Sequence, residues 1–337
     1  MLPSRSVVVV GLGLVGERRA RTAAEHPRTH LAGVCDLDAA RARAIADRHH
    51  VSSFTTWRDA LAAASPDIVV VSTPHRELAP IAVAALESGC DVLVEKPFGR
   101  TLDEARRMAA AAQRHRRSLA IGFNHRFIPT IAHAIERARR GDLGDLHFVR
   151  CIYGHGGRPG YESEWRADRE RAGGGELLDQ GVHALDLLCW LFGKPTRAFA
   201  ELATLAWPIA VEDNAMAVLR WRDGPVASIH ASWSQWQNRF SFHIYGSRGA
   251  LEVEGLGGSY GPPSAVLLTR QPDGPPVRRA IDVPAGDDTW TTEWRAFVTA
   301  LDAGEPTPNR AQQGLVVMQV LDALYRSAAE HRAIELG

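Results

Sequence analysis

Short β-branched runs alternate with amphipathic stretches through the first third of the chain. "SVVVV" (6–10), "LAGVC" (31–35), "DIVVVS" (67–72), "DVLV" (91–94) and "LAIGF" (119–123) are apolar runs, the pattern of strands buried on both faces. Between them, residues 38–49, 57–64, 76–88 and 102–116 repeat their apolar positions at helical spacing. The last of these follows "TLDE", in which Thr101 and Glu104 are spaced for a capping box. Strand–helix alternation predicts a parallel sheet with right-handed crossovers, a doubly wound α/β domain.

Beyond "GFNHRFIP" (122–129) the period changes from helical to alternating. "HFVRCIYGH" (147–155), "RAFAELATL" (197–205), the segments 214–236 and 239–255, and 264–283 read as strands joined by Gly, Asp and Pro turns. "RDGP" (222–225) and "GSRG" (246–249) are hairpin candidates. This predicts a second, α+β domain with a large, mostly antiparallel sheet, one face of which stays open. The expected division is 1–125 for the first domain and 126–337 for the second. A closing helix over 309–332 is expected to pack back on the body.

Composition narrows the class. The 337 residues are 45% hydrophobic and 23% charged, ordinary for a globular protein, and exceed what one core usually organises. Lys plus Arg and Asp plus Glu number 39 each, so no global field recruits nucleic acid or an anionic membrane. Cys35, Cys90, Cys151 and Cys189 show no CxxC and no ligand-like spacing, which reads as buried thiols in a reducing compartment. Neither the His26/His30 nor the His49–His50 pair has a third ligand in register, so no metal is expected. No apolar run approaches the ~20 residues of a bilayer crossing, and Glu17, Arg18 and Arg19 follow the first apolar run where a signal peptide would carry a cleavage site. A cytoplasmic location is expected.

Two stretches carry chemistry. "GLGLVG" places Gly11, Leu12, Gly13, Leu14, Val15 and Gly16 in G-x-G-x-x-G directly after the first strand and at a helix entrance. Such glycines allow a tight turn and let backbone amides reach a pyrophosphate at the helix N-terminus. Asp36, followed by Leu37, ends the second strand, about 20 residues on, where a carboxylate accepts adenosine-ribose hydroxyls. It would repel a 2′-phosphate, so NAD is expected over NADP. Arg41 and Arg43 read as a solvated helix face. "DVLVEKPFG" puts Glu95, Lys96 and Pro97 at the carboxyl end of the fifth run, the edge where doubly wound sheets bind ligands. An ammonium there can stabilise alkoxide character on a carbinol oxygen, and a cis Lys96–Pro97 bond would help to aim it. "GGGELLDQGVHALDLL" (173–188) sets Asp179 and His183 one helical turn apart behind three glycines. Asp179 can hold the His183 ring and support its charged form. The glycines are expected to let the backbone approach a cofactor and substrate closely. Asp186, a turn further on, reads as structural.

"GLGLVG", "EKP" (95–97) and "GGGELLDQGVHALD" together resemble the glucose–fructose oxidoreductase / inositol dehydrogenase (Gfo/Idh/MocA) family. "STP" (72–74), "GFNHRFIP", "EWR" (164–166), "VEDNA" (211–215) and "LDALYRSA" (321–328) extend the resemblance over nearly the whole chain. It implies a Rossmann domain followed by an α/β domain with an open antiparallel sheet, and a homodimer or homotetramer built through that sheet. It implies Lys96, Asp179 and His183 as the catalytic trio, with the histidine moving the substrate's hydroxyl proton. It further implies cofactor contacts from Ser72, Thr73, Pro74, His75, Glu95, Lys96, Asn124, Trp165 and Arg166. The family loop often reads T-P-x-x-x-H; here Leu78 stands where that histidine would be, and His75 is the candidate to cover it. Lys96 and His183, from separate domains, are expected to meet at one carbinol.

Substrate candidates are Lys96, Arg126, Tyr153, Asp179, His183 and Trp236, with His155, Trp233 and Asn238 behind them, since aromatic faces and polar donors suit sugar rings. The expected activity is NAD-dependent interconversion of a secondary ring alcohol and a ketone on a sugar, cyclitol or sugar-containing metabolite, including an amino sugar or aminoglycoside. The alternatives are NAD-assisted glycoside cleavage with recycled cofactor, and a non-catalytic dinucleotide-binding regulator.

Overall fold

All five apolar runs of the first third become strands of one parallel sheet. The computed structural model describes residues 4–283 and 288–337. The strands are β1 (Arg5–Val10), β2 (Thr29–Cys35), β3 (Ser52–Phe54), β4 (Ile68–Val71), β5 (Asp91–Val94) and β6 (Leu119–Ile121). The intervening helices are α1 (Leu14–Glu25), α2 (Ala39–His49), α3 (Trp57–Ala64), α4 (His75–Glu87) and α5 (Leu102–His115). Among the described residues the sheet has six strands in the order β3-β2-β1-β4-β5-β6, the doubly wound Rossmann arrangement. Its order reverses between β1 and β4, which opens the binding edge there. The strand missed by pattern is β3: "SSF" is three residues long, and its two serines are exposed at the sheet edge. Thr101 caps α5 through Glu104 N at 3.2 Å, but Glu104 does not complete the expected box. Its carboxylate accepts from Arg100 N at 2.7 Å and from the Arg100 guanidinium at 2.6 Å, a charge-assisted partner that outcompetes the Thr101 amide.

Two units form by contact, one of residues up to 124 with 288–315, the other of 125–283 with 316–337. The sequence reading placed all of 126–337 in one domain and assigned no element to 289–303. That segment forms a helix capped by Asp288, whose side chain accepts from Thr291 N. It inserts Trp294, Phe297 and Val298 into the same core as Val7, Val9, Val34, Ile68, Val70 and Leu93. "TWTTEWRAFVTALDA" carries this apolar stripe, but only tertiary packing tells which core receives it.

The second unit contains α6 (Pro129–Arg139), β7 (Leu146–Gly154), α7 (Arg169–Ala172), α8 (Val182–Phe192), β8 (Arg197–Ala203), β9 (Asn214–Arg220), β10 (Val226–Ser232), β11 (Arg239–Gly246), β12 (Gly249–Glu254), β13 (Ser264–Thr269) and β14 (Val277–Ala280). The helix of the first unit just described is α9 (Thr289–Ala303), followed by α10 (Ala311–Glu330) and β15 (Ile334–Glu335). The described residues form a nine-stranded sheet, β14-β13-β12-β11-β7-β10-β9-β8-β15, antiparallel throughout except where β10 runs parallel to β7. Both turn motifs close hairpins, β9–β10 and β11–β12. Along β9, Ala215, Ala217 and Leu219 are buried while Met216 and Val218 are exposed, so this sheet covers one face and presents the other. Phe148 stacks on Tyr245 on the presented side, ring centroids 4.3 Å apart.

Phe297→Ala should destabilise the protein by about 3–5 kcal/mol in urea unfolding, the range for emptying a buried aromatic site; a loss below about 1 kcal/mol would contradict α9's place in the first core.

Candidate active site

Backbone crowding shapes the turn between β1 and α1. Gly11 has φ +86°, and a Cβ on it would lie 2.6 Å from Ser72 O. A Cβ on Gly16 would lie 1.8 Å from Gly11 O, whereas one on Gly13 meets nothing within 4 Å. Two of the glycines are thus demanded by packing, and the middle one keeps its approach open. α1 begins at Gly13 without a side-chain cap, so its first amides face outward, as a pyrophosphate requires. The Ser72 and Thr73 hydroxyls nearby are buried without a hydrogen-bond partner. Asp36 accepts from Leu12 N at 2.7 Å and from Asp38 N at 2.9 Å, which fixes its carboxylate beside the glycine turn. Leu14 and Leu37 stand exposed on either side. An open glycine, uncapped amides, orphaned hydroxyls and a fixed carboxylate fit a dinucleotide. Arg41 is exposed, as read, and also pairs with the Asp36 carboxylate. Its terminal nitrogen reaches both Asp36 oxygens, at 3.2 and 3.3 Å, because α2 starts directly after the carboxylate.

Pro74 starts α4 and His75 is buried in its first turn. Just beyond the neighbouring strand β5, Lys96–Pro97 is cis. Glu95 is buried and turned inward, accepting from Arg19 Nε at 2.7 Å. Asn124 donates to Thr289 Oγ1 at 3.0 Å.

In the second unit Asp179 and His183 are both buried. The segment carrying them is not a regular helix: Leu177–Gly181 forms a π-helical turn that runs into α8. Such wide turns occur often at functional sites. Asp179 Oδ2 accepts from Arg166 Nε at 3.0 Å. Asp179 is the largest influence holding the Arg166 guanidinium above its ordinary range. Arg166 also lies 4.4 Å from the Trp165 ring. Of the residues expected at a cofactor, Arg166 is therefore placed against the catalytic candidate Asp179.

His183 stacks on His125, ring centroids 3.8 Å apart and planes 22° from parallel. His125 Nε2 lies 3.2 Å from the Tyr153 hydroxyl, and Tyr153 packs edge-on to Tyr260 at 5.6 Å. Burial raises the Tyr153 phenol well above its ordinary range, so it keeps its proton and can donate it. His125 was missed in the sequence. It stands inside "GFNHRF", between two residues that were assigned, and only the fold brings it to His183.

Packing within the chain gives the three glycines a reason of its own. Gly173 has φ +89° and ends α7. A Cβ on Gly174 would lie 2.1 Å from the Tyr325 hydroxyl, and one on Gly175 would lie 1.9 Å from Glu212 O. The chain itself, through "VED" and the closing helix, presses against them. Glu212 then binds Gly175 N at 2.9 Å and Tyr325 OH at 2.7 Å.

Other substrate candidates disperse. Arg126 is buried in an ion pair with Asp186, at 2.8 and 2.5 Å, and does not serve as an open pocket donor; an unpaired guanidinium there would carry its full desolvation penalty. Asp186 is accordingly structural, as read. Trp236 is fully exposed, while Trp233 is fully buried in a cluster with Tyr161 and Val211. Asn238 bonds Ser259 at 2.6 Å. His155 accepts from Gly157 N at 2.9 Å, and burial lowers its ring's proton affinity. Among the described residues no group of three or more His, Cys, Asp or Glu is placed to hold a metal, and no helix is long and apolar enough to cross a membrane.

Comparison with known proteins identifies the architecture. The family model described as "Oxidoreductase family, NAD-binding Rossmann fold" matches residues 5–123, and the GFO/IDH/MocA C-terminal domain matches 131–252. The chain belongs to the Gfo/Idh/MocA oxidoreductase family. D-Glucoside 3-dehydrogenase of Escherichia coli (strain K12) is 26% identical to it, over 98% of this chain and 97% of that protein. An aldose-aldose oxidoreductase from Caulobacter crescentus, solved with glycerol, superposes with a TM-score of 0.87 at 26% identity, covering 99% of this chain and 100% of that one. GenD2 from gentamicin A biosynthesis, solved with NAD, gives a TM-score of 0.85 at 28% identity, covering 100% and 97%.

Gly175→Ala should cost about 3 kcal/mol, the upper range for overpacking, because its added carbon meets backbone; thermal unfolding at the wild-type midpoint would contradict this packing.

Proposed function

We propose that this oxidoreductase is an NAD-dependent dehydrogenase that reversibly converts a secondary ring alcohol of a sugar, cyclitol or sugar-containing metabolite into the ketone. The observation that carries the reading is the buried set in the second unit: Asp179 held by Arg166, and His183 stacked on His125. A sensor of dinucleotides has no use for such a relay. NAD, when bound, supplies the hydride acceptor at nicotinamide C4. The glycine turn, Asp36 and the Ser72–Thr73 hydroxyls are the groups that would hold it.

His183 takes the proton of the substrate hydroxyl in the oxidative direction and returns it in the reverse. Asp179, paired with the Arg166 guanidinium, supports the imidazolium that results. Lys96 stabilises negative charge on the carbinol oxygen as the C–H bond breaks. His125 stacks on the His183 ring, which constrains the plane of that ring. Asp36 disfavours a 2′-phosphate by charge, and with Arg41 already paired to it, NAD is the preferred dinucleotide. The relatives named for D-glucoside oxidation and gentamicin A biosynthesis support a glycoside, including an aminoglycoside, as substrate.

A 340 nm screen of sugars, cyclitols and aminoglycosides with NAD and NADP should find stoichiometric NADH from an intact ring substrate and a higher kcat/KM with NAD. Tightly retained cofactor with cleaved glycoside and no net NADH would overturn the dehydrogenase reading. Lys96→Met and His183→Ala should each lower kcat by about 10²–10⁴-fold, the span for a positioned proton-transfer group; near-normal turnover in both would refute the assignment.

A further inference from the structure

Arg19, in α1, has no exposure to solvent, although it carries a charge. Its Nε donates to Glu95 Oε1 at 2.7 Å, and one terminal nitrogen lies 2.6 Å from that oxygen and 2.6 Å from Glu293 Oε2. The Trp290 ring lies 4.7 Å from the guanidinium carbon. Glu293 Oε1 accepts from Asn309 Nδ2 at 2.9 Å. Gly122 leaves room for the cluster: a Cβ there would sit 2.7 Å from Glu95 Oε2 and 2.9 Å from the Arg19 terminal nitrogen. One guanidinium thus ties α1, the end of β5, and α9.

Stability alone does not explain the arrangement. A buried ion pair is often no better than apolar side chains of the same volume, and a second carboxylate adds a further desolvation cost. What the cluster does supply is direction. Glu95 N donates to Val71 O at 2.8 Å, which places its backbone at the sheet edge, while its side chain is drawn inward to Arg19. Held at both ends, Glu95 fixes where the next residue begins, and that residue is Lys96. We propose that Arg19 and Glu293 are positioning residues for Lys96, acting through Glu95 to hold the loop that carries its ammonium. This rests on the reading of Lys96 as part of the catalytic machinery.

The cluster is also sensitive to pH. The charged groups facing Glu293 are Arg19 from α1 and Glu95 beyond β5, with Asn309 as a neutral partner. Burial pushes the Glu293 carboxyl up to about 7 from 4.5; Glu95 adds to the rise and Arg19 opposes it. The folded state therefore holds this proton more tightly than the unfolded chain. Its stabilising contribution is complete below 4.5 and is lost as pH rises through about 7. Above that point a second negative charge competes with Glu95 for Arg19.

Glu293→Leu should lower kcat by about 10–100-fold, the scale of a small misplacement of a reacting group, with the fluorescence-measured Kd for NADH within about threefold of wild type. Glu293→Gln mimics the protonated acid and should restore kcat. The ratio of its kcat to wild type should be near one at pH 6 and rise severalfold by pH 8.5. Wild-type kcat in Glu293→Leu, equal impairment in Glu293→Gln, or a ratio flat with pH would each overturn the inference. Should Glu293→Leu not fold, the Glu293→Gln ratio decides alone. Lys96→Met separates the two readings. Near-normal turnover in it would remove the catalytic role of Lys96 itself; an inactive Lys96→Met beside a normal Glu293→Leu would remove only the positioning role.

Discussion

At the carboxyl edge of the first sheet, backbone approaches backbone too closely for side chains to intervene. Gly11 lies against the Ser72 backbone, and Gly16 against that of Gly11. Every other property of this edge follows from that crowding. The helix N-terminus can come directly to the strand end only because two glycines clear the way, and its amides then remain outward. With the turn itself stripped of side chains, the chemistry has to come from the ends of neighbouring strands. Asp36 ends the path of β2, Ser72 and Thr73 follow β4, and Glu95 with Lys96 follows β5. Each arrives by a different crossover, so their juxtaposition is a property of the doubly wound sheet.

The second unit meets the same problem, burial of polar groups, by pairing them. Arg126 with Asp186, Arg166 with Asp179, and Glu212 with Tyr325 and Gly175 N each satisfy one another where water is excluded. A satisfied partner costs little, whereas an orphaned charge would cost several kcal/mol. These pairs hold the π-helical turn and the entrance of α8, and so hold His183. The His125–His183 stack adds a constraint of another kind, since each ring limits how the other can turn.

The sequence by itself determined the fold class, the cofactor and the family. Continuous apolar runs specify strands buried on both faces, the G-x-G-x-x-G turn and Asp36 specify a dinucleotide edge, and alternation with Gly/Asp turns specifies the hairpins of the second sheet. These signals are local, each needing only residues close in the chain. It was less informative wherever spacing stands for distance. Asp179 and His183 were read at regular helical spacing, whereas Leu177–Gly181 forms a wide turn just after Gly175, which packs against Glu212, a residue 37 positions away.

Only the tertiary structure decided which polar residues face a site and which sustain the core. Arg126 and Trp236 looked alike as pocket candidates, yet one is buried on Asp186 and the other stands in solvent. Arg19 figured only as a charge following the first apolar run, and folding buries it between Glu95 and Glu293. α9 has a clear apolar stripe, but nothing in it names the core of β1 and β4 as its partner. The physical reason is common to all of these. A side chain's role is set by the free energy of removing it from water beside particular neighbours, and those neighbours are chosen by topology across tens to hundreds of residues.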